Sequence, residues 1–218
     1  MIKDIIQIGR GGPVIYWLKG NHEPREAEHL LECLQETVRN TNFTLVALNI
    51  DDWNGELSPW PGNDPMGGEG GFAGNGMKKK TLDELLEIIS KQPAAGNKKK
   101  FLIGYSLAGL FALWTMYKTD AFDGAACCSG SLWFDGWETF AKEHTIAGGC
   151  DIYLSLGGKE DKTANPVMAS IGSLTKLQEK LLKSDANVRR VTLEMNSGGH
   201  FADSGKRLAK GVKWLLGI

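Results

Sequence analysis

The sequence has no apolar run approaching the roughly 18 residues that a membrane-spanning helix requires. Met1-Ile-Lys-Asp4 is followed by the glycines and proline of Gly9-Arg-Gly-Gly-Pro13 rather than by the apolar core of a secretory signal, so a cytoplasmic protein is expected. Charge of one sign is also lacking. With 25 Lys and Arg against 26 Asp and Glu the net charge is −1, which leaves no general basic footprint for nucleic acid or an anionic membrane. The two triple-lysine runs, Lys78–Lys80 and Lys98–Lys100, flank predicted elements and read as solvated faces. Cysteine is scarce: Cys33, Cys127, Cys128 and Cys150 have no Cys-x-x-Cys spacing and form no disulfide framework. Cys127 and Cys128 are neighbours in a predicted strand, so their side chains face opposite sides and do not share a tetrahedral metal. No metal and no cofactor are expected. Neither an internal repeat nor a linker interrupts the 218 residues, and a single domain over residues 1–218 is the expectation.

What is present is strand and helix in alternation. Apolar runs at Ile5–Ile8, Val14–Leu18, Thr44–Asn49, Lys99–Ile103, Phe122–Cys128, Asp151–Leu156 and Arg189–Met195 read as strands. Helices are predicted from Pro24 to about Asn40, over Thr81–Lys91 with Thr81 and Glu84 as a capping box, and over Leu107–Lys118. A turn at Ser129–Trp133 leads into a short helical stretch reaching about Thr145. Asn165 and Pro166 open another helix with Val167, Ile171, Leu174, Leu177 and Leu181 inward, and Phe201–Leu216 closes the chain with Leu208, Val212 and Leu215 inward. Right-handed crossovers then give an α/β fold with one mostly parallel sheet covered on both faces.

Residues 51–80 break this rhythm as a long loop dense in Gly, Pro and Trp. Trp53, Trp60 and Phe72 argue against simple disorder, because large aromatics gain most when covered. Gly68-Glu-Gly-Gly-Phe-Ala73 fits a loose dinucleotide fingerprint, yet it neither leaves a strand nor enters an evident helix, and nucleotide binding is rejected.

Phe101-Leu-Ile-Gly-Tyr-Ser-Leu-Ala-Gly-Leu-Phe111 reads as strand, sharp turn and helix with Ser106 at the bend. Such a turn is too tight for side chains two positions either side of the serine, and Gly104 and Ala108 meet that demand. It exposes a hydroxyl at the carboxyl end of a strand, with unpaired helix N–H groups behind it. A serine needs a hydrogen-bonded base, and the base needs a carboxylate to orient it. Glu160, Asp161 and His200 each follow a predicted strand, so they can meet Ser106 at the edge where ligands of such sheets bind. Of the four histidines only His200 follows both the serine and the acid; His22 fits a pocket or surface, His29 precedes the serine, and His144 sits on a predicted helix face. Between the neighbours Glu160 and Asp161 only one can point at His200. Glu160 is the first choice and Asp161 the alternative. An oxyanion hole would draw one N–H from Leu107 and another from the loop after Val14–Leu18, at Asn21 or His22. The 51–80 segment, through Trp53, and Trp133 beyond the Ser129 turn are candidate walls of a substrate pocket, with His22. Trp17, Trp114 and Trp214 read as core.

On Gly104-Tyr-Ser-Leu-Ala-Gly109, Ser129-Gly-Ser-Leu-Trp133, Leu154-Ser-Leu-Gly-Gly-Lys-Glu160 and Gly198-Gly-His-Phe201, the chain resembles the putative-esterase group, esterase-D and enterochelin-esterase-like, of the α/β-hydrolase superfamily. The resemblance covers nearly the whole chain. It implies the three-layer α-β-α sandwich of that superfamily and a cofactor-free serine hydrolase acting on small carboxylic esters, with Ser106, His200 and Glu160 as triad. Ala108 stands where a second glycine is more usual. Two other readings remain open on the sequence: acyl transfer from the same acyl-enzyme, and a catalytically silent binding domain on the same scaffold. The ester substrate and the oligomeric state are not legible.

Overall fold

A computed structural model describes residues 2–9, 11–20, 25–65, 67, 72, 77–92 and 96–218, with backbone alone for 2–8 and 77–79. Seven strands form one sheet in the order β1-β3-β2-β4-β5-β6-β7. These are β1 (Ile2–Ile8), β2 (Val14–Gly20), β3 (Thr44–Ile50), β4 (Lys100–Tyr105), β5 (Gly124–Cys128), β6 (Cys150–Gly157) and β7 (Val188–Asn196). Only the edge strand β1 is antiparallel to its neighbour; every other pairing is parallel.

The strands are apolar runs rather than alternations because helices cover both faces. On β2, Val14, Tyr16 and Leu18 enter one core while Ile15 and Trp17 enter the other. One layer is α1 (Glu26–Thr37) and α8 (Ser204–Leu216), whose Leu30, Leu34, Leu208 and Val212 pack with Ile15, Trp17, Phe101 and Tyr153. The opposite layer holds α2 (Trp53–Leu57), α3 (Met77–Lys91), α4 (Leu107–Lys118), α5 (Trp137–Glu143), α6 (Pro166–Ala169) and α7 (Ile171–Ser184). The result is a three-layer α-β-α sandwich around a mostly parallel sheet, as expected. Cys127 and Cys128 fall in different cores, and all four cysteines are buried free thiols. Helix α4 is buried from Leu107 to Tyr117, which matches its apolar residues on every side. At the exposed edge, β7 carries Arg189 and Arg190, which both grip the buried Asp151 carboxylate at 3.2 and 2.6 Å.

Several expectations need correction. Strand β2 continues through Lys19 and Gly20, because it stays paired with β3 that far. The 51–80 segment is not one loop: Asp52 caps α2 by accepting the Gly55 N–H at 3.0 Å, and Gly62 bridges Phe72. Helix α3 already starts at Met77, so Thr81 is a buried residue within it and not a cap. Lysine is a good helix former, and Lys80 pairs with Glu84 one turn on. The stretch expected to be helical to about Thr145 is helical only over Trp137–Glu143.

Asn165 does cap, accepting the N–H groups of Val167 and Met168, but α6 ends at Ala169 and α7 follows with a rotated face. Val167 is exposed; Ile171 is buried as expected and Leu174 and Leu181 pack partly buried against the same core, but the other fully buried positions of α7 are Thr175, Gln178 and Leu182. The polar pair goes inside because each finds partners. Thr175 bonds the Ile171 carbonyl, while Gln178 accepts from Trp137 Nε1 at 3.0 Å and donates to Tyr117 at 2.9 Å. Helix α8 begins at Ser204 rather than Phe201, whose ring is 94% exposed. Pro24 as a helix start, and Gly68–Ala73 apart from Phe72, lie outside the described residues. Among the described residues no helix is long and apolar enough to cross a membrane.

Candidate active site

Parallel strands β4, β5, β6 and β7 end at one rim of the sheet, and the groups that could do chemistry leave from those ends. Ser106 sits between β4 and α4 with φ 57° and ψ −123°, a left-handed backbone in which a non-glycine residue is strained. Its N–H bonds Cys128 O at 3.0 Å, and its carbonyl receives the N–H groups of Leu110 at 3.0 Å and Ser131 at 3.1 Å. The bend presses the helix against the strand. A Cβ on Gly104 would lie 2.3 Å from the Ala108 carbonyl oxygen, so only glycine fits there.

His200 follows β7 in the loop Ser197–His200 and points back across the rim. Its Nε2 is 3.1 Å from Ser106 Oγ, and its Nδ1 is 2.8 Å from Glu160 Oε2. Glu160 stands on the tight turn leaving β6, closed by its own N–H to Gly157 O at 3.0 Å. The neighbour Asp161 faces solvent beside Lys162. The other Glu160 oxygen, Oε1, accepts from Ser129 Oγ at 2.7 Å, from Gly157 N–H at 2.6 Å and from Arg207 Nη1 at 2.8 Å. Burial pushes the Glu160 carboxyl up, but the hydrogen bonds from His200, Gly157 and Ser129 outweigh it and hold the group below its ordinary value. The carboxylate is therefore ionised at neutral pH.

Arg207, Tyr105 and Ser129 are site neighbours that sequence reading had not singled out. Arg207 is 1% exposed on the sheet side of α8. Besides Glu160 it donates to Tyr105 Oη at 2.9 Å, to Ser129 Oγ at 2.7 Å, and to the carbonyls of Ser197 at 3.0 Å and Gly199 at 2.9 Å. Tyr105 donates in turn to the His200 carbonyl at 2.5 Å, and burial pushes its phenol up to about 12, so it stays a neutral donor. The available signal was a charge on an apolar helix face: Arg207 lies one turn from Gly211 and two from Leu215, both buried. Ser131 also comes close, its Oγ 3.4 Å from that of Ser106.

A cleft of about 380 Å³ opens over Ser106 and His200, walled by Trp53, Phe72, Leu107, Trp133, Met168 and Phe201. Leu107 is the first residue of α4, where an N–H has no intrahelical partner. Asn21 and His22, expected as second oxyanion donor and as pocket residue, lie outside the described residues. His29 on α1 neighbours Cys33, and His144 stacks on Phe140; neither reaches this rim. A slightly larger hollow of about 430 Å³ beside α1 and β3 is lined by groups such as Leu31, Val38 and Phe43 and contains no nucleophile beside a base. No group of three or more His, Cys, Asp or Glu able to hold a metal ion occurs among the described residues.

A family model described as "Putative esterase" matches residues 6–203. An uncharacterized protein, YbbA, of Bacillus subtilis (strain 168) is 21% identical over 216 residues, covering 95% of this chain and 86% of its own. Among solved structures, an IroE-like serine hydrolase from Shewanella oneidensis superposes with a TM-score of 0.80 at 16% identity, over 98% of this chain and 75% of that one. Siderophore hydrolase EstA from Aspergillus nidulans gives a TM-score of 0.68 at 16% identity, over 96% and 84%. At such identities the structural likeness is one of fold.

Proposed function

The chain belongs to the putative esterase family and is a carboxylic ester hydrolase, and from that premise we propose that it cleaves its ester through an acyl-enzyme on Ser106, with His200 as base and Glu160 as the acid. The observation that carries this reading is the unbroken relay of contacts from Ser106 Oγ to His200 Nε2 at 3.1 Å and from His200 Nδ1 to Glu160 Oε2 at 2.8 Å. An ionised Glu160 fixes the proton on Nδ1, which leaves Nε2 free to accept. The Ser106 proton passes to Nε2 as Oγ bonds to the acyl carbon, and the carbonyl oxygen becomes an oxyanion. The Leu107 N–H donates to that oxygen in this reading, and one such donor contributes about 3 kcal/mol to the transition state. Collapse breaks the ester C–O bond, and the leaving alkoxide takes the proton from His200. Water then repeats the sequence on the acyl-Ser106 ester and restores the hydroxyl.

The reading assigns the whole chain to one catalytic domain, with Trp53 and Phe72 of the 51–80 segment beside the substrate. Because the cleft walls are aromatic and apolar, the favoured ester carries a ring or chain that those walls can cover. The siderophore hydrolases among the structural relatives put siderophore-type esters and lactones first in an assay panel. The test is a fluorophosphonate probe together with a small chromogenic ester. Stoichiometric labelling at Ser106, with labelling and turnover both lost in Ser106→Ala, is the expected result; undiminished turnover in that variant would defeat the proposal.

A further inference from the structure

Arg207 reaches four separate strand exits from one buried position on α8. Its Nη1 contacts Tyr105 at the end of β4, Ser129 after β5 and Glu160 after β6, and its Nη2 holds two carbonyls of the loop after β7 that carries His200. Among the described residues no other side chain touches both the Glu160 carboxylate and the His200 loop by hydrogen bonds, apart from His200 itself. Stability alone is a poor reason for such a residue. A buried ion pair often stabilises no more than apolar side chains of the same volume, and Arg207 Nε finds no partner among the described residues.

We infer that Arg207 is the positioning residue of the proposed acid–base pair: it holds Glu160 Oε1 on one side and the His200 loop on the other, so that Oε2 and Nδ1 meet. This rests on the function proposed above and adds a residue to it. The planar fork of the guanidinium suits the task, because its two arms diverge at a fixed angle and set the spacing between the β6 turn and the β7 loop. Tyr105 extends the same clamp, since it accepts from Arg207 and donates to the His200 carbonyl. Arg207 touches neither Ser106 nor the cleft, so its loss acts only through the Glu160–His200 alignment.

Non-additivity separates this role from a merely structural one. Turnover of a chromogenic ester is measured for wild type, Arg207→Met, His200→Ala and the double variant, with thermal melting on each. Arg207→Met is expected to lower kcat by about 10²-fold, the cost of a misplaced catalytic group, with KM little changed. In the His200→Ala background, where the pair no longer operates, the same change should move the residual kcat within about twofold. Arg207→Lys keeps the charge and loses the fork; it should recover part of kcat, and it carries the test if the Met variant does not fold. Equal losses in the two backgrounds, or a raised KM with kcat intact, would overturn the inference while leaving the Ser106 chemistry standing. A His200→Ala enzyme as fast as wild type would instead remove the proposed function and this inference with it.

Discussion

Glu160 gives one carboxylate oxygen to His200 and keeps the other inside the protein: Oε2 is 2.8 Å from Nδ1, while Oε1 accepts from Ser129, Gly157 and Arg207. Its neighbour Asp161 has no part in this and lies exposed beside Lys162. The two adjacent carboxylates are therefore separable by experiment.

Replacing Glu160 with Gln preserves shape but removes the charge that fixes the histidine tautomer. If Glu160 is the proposed acid, the expected loss in kcat is on the order of 10³ to 10⁴-fold, by analogy with the acid-to-amide change in a Ser-His-Asp triad. Asp161→Asn should leave kcat unchanged. Steady-state kinetics on both variants decides the matter, and a reversed ranking would transfer the role to Asp161.

The depressed Glu160 carboxyl also makes stability depend on pH. Because its folded value lies below the ordinary 4.5, the group stabilises the fold fully above that ordinary value, and the contribution is lost as pH falls through the lower folded value. Melting temperatures of wild type and Glu160→Gln should differ most near neutrality and converge on acidification below the usual glutamate range. A gap that stays constant down to acid would show that ionisation of this group contributes nothing.

Gly104→Ala should cost about 1–3 kcal/mol and slow probe labelling of Ser106, because the new Cβ would sit 2.3 Å from the Ala108 carbonyl oxygen. Ala108→Gly removes a methyl without forcing the bend and should retain labelling. Chemical denaturation and labelling rates, run side by side, test the pair. A stable, rapidly labelled Gly104→Ala protein would mean that the elbow relaxes.

Phe201 is almost wholly exposed, yet it packs edge-on against the His200 ring with centroids 5.1 Å apart. Phe201→Ala should change stability by no more than about 0.5 kcal/mol, as surface substitutions do. If the ring covers part of the bound ester, KM for apolar esters rises and KM for a short-chain ester does not. Equal KM values across that series would remove Phe201 from the substrate surface.

Much of the framework was legible because burial on both faces forces parallel strands to be apolar runs. That holds for β2, β3, β4 and β6, and the boundaries of α4 coincide with expectation because its apolar residues occupy every side. The reading failed where polar residues are satisfied internally. Gln178 sits on the core face of α7 because its partners, Tyr117 and Trp137, come from elsewhere in the chain, and Thr175 because it bonds the Ile171 carbonyl one turn back. Arg207 was missed for the same reason: a charge on an apolar helix face reads as an exception until its five acceptors are seen together.

Local spacing alone determined that a serine stands on a sharp strand-to-helix bend, because Gly104 and Ala108 answer a steric demand that reaches only two residues either way. It also limited the candidate base to one histidine and the candidate acid to two adjacent residues. Which of those two carboxylates meets the imidazole depended on how a turn after β6 is clamped by Arg207, Ser129 and Gly157, groups up to 47 residues away in the chain. Contacts of that range arise from packing, and only the folded sheet brings them to one edge.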